Sequence, residues 1–490
     1  MGFVTIAGAE AKLDLLRNES FCARFVNLRR LRVIHSFSSW RSAMAASLMA
    51  VALAAPAPAF SETLFDALTA TYTSNPTIRA DRARQRGTDE GVAQALSGWR
   101  PSVTASGQAG VEKSDSTARS PTESDPASVS IQLSQPIFRG FQTLNRTALA
   151  KANVLAGRAN LSSTEQSVLL QAVAAYMNVV RDRRIVDLRQ QDVKVLGEQL
   201  NAANARFNVG EITRTDVAQA RAGLSLAKSN LALAVAQRAS SIANYEMIVG
   251  KAPGSLKSPG LPKILPSSLE AALAKAETTN PEVIAAMFAE EAARHQVDYT
   301  RGDLLPRANL VAEYATQNDA SGVNGLRATS QQVYGSVSMP LYEAGQVYAG
   351  VREAKQMASQ RRIQVIERQR GVRQAVVSSW NNLVASGQSI VASAEQVKAS
   401  QLALDGVRQE AMVGSRTTLD VLNAQQDLVN AEVRLVQAER DQIVGAYQVL
   451  ATTGQLTPAE IGLGIENYDP AENYKNVRFK FIGTGIDEVE

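Results

Sequence analysis

The chain has 490 residues, of which 45% are hydrophobic, 20% charged and 5% aromatic, and it holds one cysteine. The apolar content excludes a collagen-like or wholly disordered chain, and the lone cysteine excludes a disulfide-built scaffold. The net charge of +4 lies entirely in residues 1–61, which carry seven basic and three acidic residues; residues 62–490 are neutral, so no basic field for nucleic acid is expected there.

Residues 1–61 read as an export leader. Arg41 precedes an apolar run from Ala43 to Ala55, and Ala59-Phe60-Ser61 offers small residues for a cut before Glu62. The run is shorter than the ~20 residues a spanning helix needs. The stretch ahead of it is longer than a usual basic region, which points to a translation start nearer Arg29. Cys22 lies in this segment, so the exported chain is free of thiols.

The rest repeats itself once, at an offset of 204 or 205. Asn75-Pro76 returns as Asn280-Pro281, and Gln135-Pro136-Ile137-Phe138 as Met339-Pro340-Leu341-Tyr342. Val209-Gly210 and Thr215-Asp216-Val217 return as Val413-Gly414 and Leu419-Asp420-Val421. So long a period indicates a duplicated domain rather than a short solenoid unit. The expected organisation is residues 62–265 and 266–454 as two repeats, with 455–490 as a C-terminal segment.

Each repeat opens with a short helix, at about 63–74 and 267–279. Proline then starts a second helix, which runs to Pro101 or Pro306. Beyond that proline the period becomes two. Val129, Ile131 and Leu133 alternate with Ser130, Gln132 and Ser134; Leu310, Ala312 and Tyr314 alternate with Asn309 and Glu313. Val333, Gly335, Val337, Met339 and Leu341 continue the pattern. Residues 114–127 and 319–329 are polar and turn-rich, so each repeat predicts one hairpin (about 102–138 and 306–342) and the chain four strands. Pro136, Gly140, Pro340 and Gly345 mark the expected strand-to-helix bends.

Long proline-free stretches follow, from Phe141 to about Phe207 and from Gln346 to Met412, each ending at a glycine turn before a returning helix at about 214–249 or 417–453. Ala172, Val179, Val186, Val193 and Leu200 are spaced by seven, as are Leu422, Val429, Val436, Ile443 and Leu450. That spacing predicts left-handed coiled-coil packing. A narrow apolar seam between polar faces suits a wall one helix thick.

Four strands do not close a barrel in lipid, where open edges are too costly. Several copies must share one: two copies give eight strands, three give twelve. The polar strand faces then line a wet interior, and the expectation is a channel that is gated where the long helices turn back.

The doubled plan resembles the TolC family across essentially all of residues 62–465. The residues that carry the resemblance are the hairpin end Gln135-Pro136-Ile137-Phe138, Arg206-Phe207-Asn208-Val209-Gly210, Thr215-Asp216-Val217, Val413-Gly414-Ser415-Arg416-Thr417 and Leu419-Asp420-Val421-Leu422. The resemblance implies an internally duplicated α+β membrane protein. It implies a homotrimer with a twelve-stranded transmembrane β-barrel in outer-membrane lipid and an α-helical tunnel in the periplasm of a Gram-negative cell. It also implies an exit duct for drugs or secreted proteins, docked through a periplasmic adaptor (membrane fusion) protein to an inner-membrane transporter of RND or ABC type. By the same resemblance Arg416 clamps neighbouring helices, with Thr215 and Asp216 of the adjacent copy as partners. Asp420 forms a ring at the periplasmic constriction, and Asn423 puts amide where some members carry a second aspartate. Ala411 and Ala205 stand where a gating tyrosine and glutamine occur in the best-known members. The helix turns at Val209, Gly210, Val413 and Gly414 are the implied docking points for the adaptor.

The residues also allow plainer roles. Asp216 and Asp420 lie early in helices, where a carboxylate caps the N-terminus. Three converging Asp420 carboxylates are expected to push one another above the ordinary value of about 3.9. His295, the sole histidine after residue 61, reads as a surface side chain, and Trp99 and Trp380 as packing anchors. Phe138 and Tyr342 sit where an interfacial aromatic girdle belongs. The resemblance implies that the segment 455–490 is a strap around the middle of the tunnel, whereas its composition alone equally allows a loose tail. No catalytic, cofactor or metal motif is present, so neither an enzyme nor a cofactor is expected. The alternative is a periplasmic coiled-coil adaptor or scaffold without a membrane barrel, which has no use for one-sided hairpins.

Overall fold

The structure, a computed structural model, describes residues 62–117, 119–319 and 325–486. The leader, its cut and Cys22 lie outside the described residues, as does the middle of the second hairpin's connection.

Helices α1 (Leu64–Ser74) and α2 (Pro76–Leu96) are separated by Asn75 alone. Asn75 caps α2, its side chain accepting from Thr77 N at 2.9 Å, and Pro76 fills the first helical position, where no N–H is needed. The Asn75 amide also donates to Ile248 O at 2.8 Å. The second repeat copies this joint. Helices α5 (Leu269–Thr279) and α6 (Pro281–Arg301) meet at Asn280, which caps α6 and donates to Thr452 O at 2.9 Å. One asparagine thus caps a helix and pins it to the end of the returning helix of its own repeat.

Six strands are described: β1 (Ser102–Ala109), β2 (Glu112–Ser116), β3 (Arg119–Ser124), β4 (Ala127–Arg139), β5 (Arg307–Asn318) and β6 (Ala328–Ser338). β1, β4, β5 and β6 form one antiparallel sheet in that order, so β4 against β5 joins the two repeats. The extra pair, β2 with β3, corrects the expectation of a plain loop over 114–127. Its Ser- and Thr-rich strands lack an apolar face, so alternation could not reveal them. A second correction concerns the end of the second hairpin. Met339 and Leu341 are outside β6, and Leu341 is 90% exposed. Pro340 has no N–H to continue a ladder. β4 passes through Pro136 because its pairing with β1 begins only at Ser134, so the proline sits where that side is unpaired. A bulge follows between Pro136 and Phe138.

Two helices of 67 residues leave the sheet, α3 (Gln142–Asn208) and α7 (Gln346–Met412), each about 100 Å long at 1.5 Å per residue. Helices α4 (Arg214–Val249) and α8 (Thr418–Thr452) return alongside them. The second predicted seam is inside, with Leu422, Val429, Val436, Ile443 and Leu450 all buried; in the first, Ala172, Val179 and Val186 are fully buried while Val193 and Leu200, nearer the turn, are half-buried.

The main core gathers both repeats around Tyr176, Tyr245, Leu169, Tyr447 and Leu450, with Leu64 and Leu68 of α1. Burying each such leucine is worth roughly 1.5–3 kcal/mol. Glu62 is enclosed at its edge. Its carboxylate accepts from Tyr245 OH at 2.8 Å and Gly254 N at 3.0 Å and pairs with Lys251 at 2.9 Å. Tyr176 OH donates to the carbonyls of Glu62 and Lys257. Burial pushes the Tyr176 hydroxyl up to about 12.

Of the two readings of the C-terminal segment, contacts favour the strap. Leu456 is fully buried, and helix α9 (Pro470–Val477) lies on α2 through Asn473, which donates to Asp89 at 2.9 Å. The Arg82 guanidinium sits between the rings of Tyr72 and Tyr468, at 4.4 and 4.8 Å. Trp380 packs on a second small core with Val372 and Val376, whereas Trp99 is half exposed. His295 lies on α6 opposite Glu291 at 3.9 Å.

Candidate functional site

The two helix turns are built alike. Val209 and Val413 end the long helices at φ −95°, and Gly210 and Gly414 follow at φ +80° and +81°. A left-handed residue after a helix end favours glycine. Glu211 N then donates back to Arg206 O at 3.0 Å, and Ser415 N to Glu410 O at 3.0 Å. The two valines point into solvent, at 78% and 81% exposure.

Each returning helix begins with a reciprocal cap. The Thr213 amide and hydroxyl donate to the Asp216 carboxylate at 2.9 and 2.7 Å, while Asp216 N donates to the Thr213 hydroxyl at 3.3 Å. Thr417 and Asp420 repeat this at 3.0, 2.8 and 3.2 Å. Within one chain both aspartates serve as caps, the plainer of their two expected roles. The Thr213 hydroxyl, then its amide, hold the Asp216 carboxyl below the usual range. The Thr417 amide, then its hydroxyl, do the same for Asp420, helped by the charge of Arg416. The direction in one chain is therefore opposite to the upward push expected from three converging carboxylates.

A charge pair closes each turn. Arg206 faces Glu211 at 3.6 Å, and Arg416 Nε donates to Glu410 at 2.8 Å. The bond to Glu410 raises the already high Arg416 value. Glu410 was missed in the sequence; its signal is a carboxylate six residues before Arg416, across a glycine turn. Thr215 on the first turn of α4 and Asn423 on the second turn of α8 are exposed, as is Ala205 near the end of α3.

At the other end of the long helices, Gly345 takes φ +83° immediately before α7, whereas Gly140, at φ +58°, is separated from α3 by Phe141, which is left-handed too at φ +61°. Pro136 lies inside β4, and Pro340 in the link after β6. Phe138 packs edge-on to Phe141 with centroids 5.1 Å apart, and Tyr342 is 84% exposed.

Between α3 and α8 the apolar seam is interrupted. The Gln425 amide faces Asp192 at 3.4 Å, and Arg408 donates to the Gln425 oxygen at 2.9 Å. Burial pushes the Asp192 and Glu432 carboxyls up, and for Glu432 the nearby Asp192 charge adds to it.

A family model described as outer membrane efflux protein matches residues 68–251 and again 272–455. The Brucella suis outer membrane efflux protein BepC is 41% identical over 425 residues, covering 87% of this chain and 92% of its own. The Escherichia coli outer membrane protein TolC is 28% identical over 358 residues, covering 69% of this chain and 71% of its own. The fold is shared with the crystal structure of the Campylobacter jejuni CmeC outer membrane channel, at a TM-score of 0.73 and 14% identity over 85% of this chain and 89% of that one.

Proposed function

The chain belongs to the outer membrane efflux protein family, and from that premise we propose that three copies share one barrel and one periplasmic tunnel. It is an outer-membrane protein that serves as an exit duct for efflux or type I secretion. The alternative, a periplasmic adaptor or scaffold, is set aside, because the relatives are outer-membrane efflux proteins.

The observation that carries the reading is the sheet. One face is mainly apolar, with exceptions such as Gln331 and Thr316, and the other mainly polar, with exceptions such as Val311 and Tyr334; the outer strands β1 and β6 each leave an edge unpaired. Joining β1 of one copy to β6 of the next is a head-to-tail contact that closes a ring. Three copies give twelve strands, within the range of closed barrels. The helices support the same assembly. Leu226, Leu233 and Met247 on α4 stand seven or fourteen residues apart and are 49–70% exposed. Val384 and Val391 on α7 are likewise exposed and spaced by seven. Seams of this kind match a neighbouring helix.

In this duct Arg416 bridges to Asp216 and Thr215 of the adjacent copy and holds the tips together. Asp420 supplies a ring of charge at the constriction, and Asn423 a ring of amide beside it. The exposed turns Val209-Gly210 and Val413-Gly414 take the periplasmic adaptor, which couples the duct to an inner-membrane transporter, of RND or ABC type, that provides the energy. Residues 1–61 act as the leader, 62–265 and 266–454 as the two repeats, and 455–490 as a strap on α2.

The first test is the native mass of the detergent-extracted protein after subtraction of the detergent; a single chain would leave four strands with no barrel. The gate is tested by Arg416→Ser, for which resting conductance in planar bilayers rises. Unchanged conductance would refute the clamp and leave the barrel standing.

A further inference from the structure

The four strands of the main sheet carry one charge away from their ends. β1 and β6 have none; Arg139 is the last residue of β4 and Arg307 the first of β5. The remaining charge is Glu313, the seventh of the twelve residues of β5. It stands opposite Gln132 on β4 and Gln332 on β6, and Gln132 stands opposite Thr104 on β1. Thr104, Gln132, Glu313 and Gln332 thus form one polar row across the whole sheet. The same face carries Ser106, Ser130 and Ser336; the other carries Val103, Ile131, Ala312 and Val333. A carboxylate at mid-strand is costly against lipid, so the row faces the lumen. Its direction is fixed, because the Gln332 amide donates to Glu313 Oε2 at 2.9 Å.

We propose that Glu313 is a selectivity-determining residue: repeated around the barrel, it makes the lumen at mid-depth prefer cations, independently of the charges at the helix turns. The proposal rests on the shared-barrel reading above. Six residues at about 3.3 Å each put Arg307 and Arg139 roughly 20 Å below the row. Arg307 is also paired with Asp303 at 2.5 Å. With a screening length of about 10 Å at 0.1 M salt, those rim charges reach the row weakly. The same arithmetic limits Glu313 to its own neighbourhood, so its effect on a solute within about 8 Å is strong at low salt and small at high salt.

Residues 62–490 contain no cysteine, so one introduced thiol is a clean reporter. Ser130→Cys places it on the lumenal face, two residues from Gln132; Ile131→Cys places it on the apolar face. The protein is reconstituted in lipid vesicles, and the thiol is treated with methanethiosulfonates carrying either a trimethylammonium or a sulfonate group. In 10 mM salt, Glu313→Gln lowers the cation-to-anion rate ratio at Ser130→Cys about fivefold, and in 1 M salt the change nearly disappears. Glu313→Lys inverts the preference. Glutamine keeps the shape and still accepts from Gln332. If Ser130→Cys reacts, Ile131→Cys stays silent and neither Glu313 variant moves the ratio, the selectivity proposal is wrong and the barrel stands. If Ile131→Cys reacts as fast as Ser130→Cys, the barrel itself is wrong and the proposal falls with it.

Discussion

Three glycines allow backbone strain and close packing to be separated. Gly140 has φ +58°, and a Cβ there would lie 2.3 Å from Gly302 O and 2.9 Å from Leu305 Cβ. Gly345 has φ +83° but open space around its Cβ position. Gly302 has an ordinary φ of −59°, yet its Cβ would meet Gln142 Cγ at 2.4 Å and Gly140 O at 2.5 Å. A left-handed conformation costs a non-glycine residue about 1–2 kcal/mol, and forcing a methyl into a packed site about 1–3 kcal/mol. Gly345→Ala therefore loses about 1–2 kcal/mol, Gly302→Ala about 1–3, and Gly140→Ala about 2–5. The obstacle at 140 is a backbone carbonyl, which cannot rotate aside as a side chain would. The assay is the loss of helical circular dichroism on heating in detergent, at one scan rate because such unfolding is often irreversible. The expected order of melting temperatures puts Gly140→Ala lowest. Should Gly302→Ala melt with the unaltered protein, or Gly140→Ala no lower than Gly345→Ala, the close approach between the first repeat's bend and the second repeat's strand entry is refuted.

Tyr245→Phe removes one donor from the enclosed Glu62 carboxylate and costs about 1.5–3 kcal/mol at neutral pH. Burial acts to raise the Glu62 value, but Gly254 N, Lys251 and Tyr245 outweigh it, and the folded value lies below 4.5. Its stabilising contribution is thus complete above the unfolded value and is lost as pH falls through the folded one. The melting difference between Tyr245→Phe and the parent is widest at pH 7 and narrows below about pH 4.5; a difference independent of pH would contradict this. Glu432→Gln acts in the opposite sense. Its carboxyl is raised by burial and then by Asp192, so ionisation costs stability above the unfolded value, and the cost is absent where both states are protonated. The variant melts higher at pH 7, and the gain fades on acidification; a lower melting point at pH 7 would count against it.

Much of this architecture is legible in the sequence, because the duplication prints each feature twice. Asn75 with Asn280, and Gly210 with Gly414, confirm each other in register and take the same conformations. The coiled-coil seams are equally plain, since a spacing of seven survives any choice among Ala, Val and Leu. What escaped was structure without apolar periodicity. β2 and β3 pair through their backbones without an apolar face, and Ser and Thr read as a turn. Glu410 escaped because an ion pair across a turn depends on the turn's geometry, not on helical spacing. The Glu62 enclosure escaped for a further reason: its donors come from α4, from α3 and from the connection at 251–257, and only the folded chain brings these together.

The equal length of α3 and α7 restricts how such a protein can change over time. Their 67-residue spans must start at one sheet and end at matching turns. One inserted residue lengthens a helix by 1.5 Å and rotates everything beyond it by about 100°, which would swing the seam residues out to water. Insertions of seven nearly restore the phase, at about 20° of drift. Even these misalign the turns unless the partner helix and both returning helices lengthen with them. Length variation in this lineage is therefore expected to come in heptads, in both repeats at once.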